Sequence, residues 1–120
     1  MNYTAIVNPI AINQGADFSQ EITLSPVVDL TGWVGTCHIR ASASLSSPVL
    51  ATGTVTLNAD PTLGIFTLSF TGDQTKLLPT PTANFYNQSV TYTYDVKFTK
   101  TTETFRAIQG MVTVSPQVTY

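Results

Sequence analysis

Charge is scarce in this chain. Only 10% of its 120 residues are Asp, Glu, Lys or Arg, against about 25% in a typical soluble domain. A free monomer usually carries more charge to stay in solution, so the composition suits a subunit partly covered in an assembly and, equally, a merely neutral surface. The five Lys and Arg are scattered over a chain of net charge -2. No basic stripe exists to track a phosphate backbone, which argues against nucleic acid as a partner. Cysteine is nearly absent. Cys37 stands alone, so no intrachain disulfide can form and nothing suggests a disulfide-stapled secreted scaffold. No apolar run approaches the roughly 18 residues of a membrane span. Met1–Thr4 has neither the basic start nor the apolar core of a signal peptide, so a cytoplasmic origin is expected.

Catalytic groups are equally sparse. His38 is the sole histidine. On a strand it points to the face opposite Cys37, so these neighbours cannot form a Cys–His dyad. One Cys and one His fall short of a structural zinc site. The carboxylates, Asp17, Glu21, Asp29, Asp60, Asp73, Asp95 and Glu103, are dispersed and none shows the spacing of a calcium loop. No glycine-rich phosphate loop is present. The expectation is a protein without enzymatic activity, cofactor or metal.

What the chain does contain is alternation. In Val90-Thr91-Tyr92-Thr93-Tyr94-Asp95-Val96-Lys97-Phe98, apolar side chains take every second place, giving one face for a core and one for water. The same pattern recurs in Phe18–Leu24, in Trp33–Ala41 with Trp33, Cys37 and Ile39 together, in Val49–Leu57, in Phe66–Phe70 and in Phe105–Ser115. Asp29-Leu30-Thr31-Gly32, Asn58–Gly64 and Lys100–Glu103 read as turns. Thr71 and Gln74 have capping-box spacing ahead of one short helical turn that Pro79 stops. Gly110 sits on the apolar face of the last strand, where it marks a bulge or a close backbone approach. The pattern predicts an all-β fold, a single antiparallel β-sandwich, immunoglobulin-like, of about seven strands. The domain occupies residues 14–116. Residues 1–13 precede it as an arm or an edge strand, and residues 117–120 follow as a tail.

Four strings occur in order: Gln14-Gly15-Ala16-Asp17-Phe18, Asp29-Leu30-Thr31-Gly32-Trp33, Ile39-Arg40 and Gly110-Met111-Val112-Thr113-Val114-Ser115-Pro116, with a Tyr-Asp-Val strand before the last. This arrangement resembles small β-sandwich virion proteins of tailed bacteriophages, in particular the attachment domain of upper baseplate and tail-fibre proteins. The resemblance spans about residues 14 to 116 and rests on turn and core positions. It implies a non-enzymatic structural subunit that joins other virion proteins and copies of itself. The setting would be the virion, assembled in the host cytoplasm, at a tail, baseplate or fibre junction. Such domains often precede a long receptor-binding region. Here the sequence stops soon after the sandwich, which favours an adaptor over a receptor binder. Two rivals stand beside it: a capsid decoration protein, and a carbohydrate-binding module using Phe85, Tyr86 or Trp33, although Trp33 is expected to be buried.

The expected contact residues are Tyr3, Ile6, Val7, Ile10, Ile12, Phe85, Tyr86 and Tyr120, which lie in the N-terminal segment, the Pro79–Asn87 loop and the tail. Apolar side chains in an extended arm could add a strand to a neighbour's sheet edge. The same residues would also suit the first strand of the domain's own sandwich, and the sequence leaves both readings open.

Overall fold

The computed structural model describes residues 4–42, 47–79 and 90–116. Eight strands form: β1 (Ile6–Val7), β2 (Ile10–Asn13), β3 (Phe18–Thr23), β4 (Val34–Arg40), β5 (Val49–Leu57), β6 (Ile65–Phe70), β7 (Val90–Lys100) and β8 (Glu103–Ser115). Their order is β1-β8-β7-β4-β5-β6-β3, with β2 also on β8. All pairings are antiparallel except those of β1 and β2, which run parallel to β8. The neighbours β3, β6 and β5 reproduce the B-E-D half of an immunoglobulin-like sandwich, and β4, β7 and β8 its C-F-G half. The expected fold class is therefore the fold found.

Strand β5 belongs to both halves. Its first part pairs with β4 (Cys37 opposite Gly53, Ile39 opposite Ala51), and its second part with β6 (Thr54 opposite Ser69, Leu57 opposite Phe66). The two halves thus form one sheet curled over its own core. The alternating side chains meet inside. Cys37, Ile39, Phe66, Leu68, Val96, Phe98, Ile108, Val112 and Val114 are fully buried. An aromatic chain crosses the interior. Phe66 meets Phe98 edge-on at 5.2 Å, Phe98 stacks with Phe105 at 5.5 Å, and Phe105 meets Trp33 edge-on at 5.0 Å. Such pairs add a directional term to the large apolar area each ring buries.

Turn chemistry closes the ends. Gly32 takes φ +80 while Asp29 accepts a hydrogen bond from the Thr31 amide at 2.9 Å. A 3-10 turn (Pro61–Leu63) is capped by Asp60. The short helix α1 (Gly72–Thr75) carries the full capping box: Gln74 N–H donates to Thr71, and the Gln74 side chain accepts from the Thr71 amide. Thr75 is fully buried below it. Its hydroxyl accepts from the Gly15 amide at 2.9 Å and lies 3.0 Å from the Ala16 and Gly72 carbonyl oxygens. This fastens α1 to the β2–β3 turn.

The N-terminal segment is an edge of the chain's own sheet. Ile6 lies beside Ile108, and Ile10 and Ile12 beside Val112 and Val114. Between β1 and β2 the chain kinks at Asn8-Pro9. There the Asn8 amide donates to the Gln109 carbonyl at 2.8 Å, and the Tyr94 hydroxyl donates to the Asn8 carbonyl. The kink lies so close to β8 that a Cβ on Gly110 would stand 2.6 Å from the Asn8 carbonyl oxygen. Of the two roles expected for Gly110, close backbone approach is the one found. The bulge of this hairpin falls elsewhere, where Val96 and Lys97 on β7 oppose Ile108 and Arg106 on β8.

Candidate functional face

The inward faces of β4, β7 and β8 are committed to the core. Their outward faces line a depression of about 510 Å³, partly open to solvent. Register decides what meets there. One row runs Thr52, His38, Asp95, Gln109 and Val7, and the next holds Thr36, Lys97 and Arg106. A third contains Arg40, Thr93 and Met111. The face therefore gathers three of the five basic residues, Arg40, Lys97 and Arg106, together with His38 and a single acid, Asp95. With His38 neutral it carries +2, which leaves -4 for the remainder of a chain of net charge -2.

The charged groups are loosely engaged. Arg106 donates to the Gln109 side-chain oxygen at 2.6 Å and forms an ion pair with Asp95 at 3.9 Å, both side chains being well exposed. A pair this open contributes about 0–1 kcal/mol. Arg40 reaches the Ser47 carbonyl. Lys97 is exposed. Apolar side chains share the surface: Met111 is 60% and Val7 71% exposed. Arg and Met are enriched where proteins meet while Lys is depleted, so it is Arg40, Arg106 and Met111 that suit a protein contact.

Two of the perturbed titrating groups, Cys37 and Tyr94, lie inside. Burial pushes the Cys37 thiol up to about 12, with Asp95 adding to the effect. Burial also pushes the Tyr94 hydroxyl up to about 12, against the hydrogen bond from Asn8. A thiol held protonated in this way is a poor nucleophile. Cys37 and His38 do point to opposite faces: Cys37 is buried in the core and His38 lines the outer depression. Among the described residues no three His, Cys, Asp or Glu side chains come together in a metal-binding group. No helix among them is long and apolar enough to cross a membrane.

The expected contact residues divide. Tyr3, Phe85, Tyr86 and Tyr120 lie outside the described residues, as does most of the Pro79–Asn87 loop. Ile10 and Ile12 are 6% and 1% exposed and pack in the domain's own core, so they are not surface contacts. The physical reason is pairing with β8, which turns their apolar face inward. Ile6 is partly buried against the same core, and only Val7 faces out, on the candidate face. Trp33 is 6% exposed, beneath the Lys100 side chain with its ammonium 5.9 Å from the ring centre. It offers no exposed platform for stacking on a sugar. The sequence alone could not find Lys97, Arg106 and Met111 as a group, because their proximity depends on strand order and on the β7–β8 bulge.

Comparison with known proteins adds little. No family model matches the chain, and no curated protein matches it. Among solved structures, it is similar to an extracellular domain of the voltage-gated sodium channel beta4 subunit, described as a parallel homodimer with a role in cell–cell adhesion. The alignment covers 98% of each chain at 12% identity and a TM-score of 0.37. A likeness of that degree carries no argument about function.

Proposed function

We propose that this chain is a non-enzymatic structural subunit of a tailed-bacteriophage virion, an adaptor at the tail, baseplate or fibre junction. The observation that supports this best is the outward face of β4, β7 and β8, where the exposed Met111 and Val7 share one surface with Lys97 and Arg106. That mixture of exposed apolar and cationic groups suits contact with another protein surface. The low charge of the chain and its likeness to virion sandwich domains in the four strings listed above point the same way. Copies of itself and other virion proteins are the partners this reading names.

The test is cryo-electron microscopy of purified particles, with the chain located by its density and counted. Ordered density at the tail or fibre junction is the expected result. Density distributed over the head would replace the adaptor with a capsid decoration protein. Absence of the chain from particles would remove both.

A further inference from the structure

The charge of this molecule is unevenly spread: the -4 outside the cationic face divides equally between the loops of one end and the Asp17, Glu21, Asp73 and Lys76 group around β3 and α1. The outward face of β4, β7 and β8 carries +2 through Arg40, Lys97, Arg106 and Asp95. Three of the remaining acids, Asp29, Asp60 and Glu103, are exposed at the loops of one end. Those loops are held together. The Leu30 amide donates to the Pro61 carbonyl at 2.9 Å, joining the Asp29 loop to the Asp60 turn. Lys100, across the hairpin from Glu103, covers Trp33 and acts on the Asp29 carboxylate. Lys100 offsets one of the three acids, and the end keeps a net of -2.

Two identical cationic faces repel each other, and so do two acidic ends. A symmetric pairing through either region places like charges together, whereas face against end places opposite charges together. The face is partly open to solvent, and its exposed Met111 and Val7 add apolar area that a small anion would leave uncovered. We infer that the outward face of β4, β7 and β8 receives the acidic loop end of a second copy of this chain, head to tail. This deepens the assembly reading above and rests on it for its biological setting. Reciprocated by both copies, such a contact makes a two-fold dimer; unreciprocated, it is heterologous and builds a ring if the rotation closes and a filament if it does not.

The test uses two charge-reversed full-length chains. One carries Lys97→Glu and Arg106→Glu on the face. The other carries Asp29→Asn, Asp60→Asn and Glu103→Lys at the end, with Asn retaining the side-chain acceptors that those turns use. Near-ultraviolet circular dichroism first establishes that each is folded. Sedimentation velocity at low salt is then expected to show association of the wild-type chain that weakens as salt rises. Each variant alone should lose the associated species. An equimolar mixture should regain it, because the acidic face of one variant now meets the basic end of the other. A monomeric wild type at low salt would overturn the inference, as would variants that associate like wild type or a mixture that stays monomeric. A monomeric wild type found in particles would leave the virion reading standing. Association by charge exchange in a chain absent from particles would do the reverse.

Discussion

Replacing Gly110 with Ala strikes the point where the N-terminal edge is fastened to the sheet. The added Cβ would lie 2.6 Å from the Asn8 carbonyl oxygen, 2.9 Å from its carbon and 3.2 Å from the Pro9 nitrogen. These are backbone atoms, so no side chain can swing aside to make room. The kink must retreat, and retreat breaks the bond from the Tyr94 hydroxyl to the Asn8 carbonyl. Overpacking of this kind costs about 1–3 kcal/mol, offset by about 0.4–1 kcal/mol because Ala restricts the unfolded chain. Tyr94→Phe removes the same bond from the other side and leaves the Asn8 carbonyl without that donor, a cost of about 1–3 kcal/mol. The double variant should then lose less than the sum of the singles, by about 0.5–2 kcal/mol, because both break one link. Urea unfolding measures all three, each as a lower midpoint with an unchanged slope. Strict additivity, or a Gly110→Ala chain as stable as wild type, would refute the account of the kink.

Other consequences follow from the core. Phe98→Ala removes the ring that touches both Phe66 and Phe105 and should cost about 3–5 kcal/mol, lowering the thermal midpoint in calorimetry by ten degrees or more. Thr75→Val keeps the shape but leaves the Gly15 amide without its acceptor; a loss of about 1–3 kcal/mol is expected, read by denaturant titration. Stability should also fall at alkaline pH. The folded state holds the Cys37 thiol up to about 12 from 9.0 and the Tyr94 hydroxyl up to about 12 from 10.0. Above pH 9 the unfolded chain therefore binds fewer protons, and stability decreases as pH rises toward 12. Denaturation midpoints measured from pH 8 to 11 check the slope, and Cys37→Ala should delay its onset.

Much of this fold was legible in the residue pattern, because alternation is a local property. Phe66, Leu68 and Phe70 face inward as their spacing requires, and the Thr71–Gln74 box caps the short helix α1. Pairing is not local. The pattern Ile10-Ala11-Ile12-Asn13 marks a two-faced strand, yet nothing within it says that its partner is β8, about a hundred residues later. The count of about seven strands becomes eight because Asn8-Pro9 divides the first segment into two short strands rather than ending one. The same limit hides the candidate face. His38 and Arg40 are visibly opposite Cys37, but Lys97 and Arg106 join them only through the register of three strands and one bulge.

The parallel pairing of β1 and β2 with β8 has a consequence in time. A ribosome makes Ile10 and Ile12 about a hundred residues before Val112 and Val114. Throughout synthesis of the intervening residues the first strands have no place to dock, and the groove beside Tyr94 has no occupant. Closing so long a loop is slow compared with forming the β7–β8 hairpin. The N-terminal segment is thus expected to lock late, with its apolar side open until then to another sheet edge.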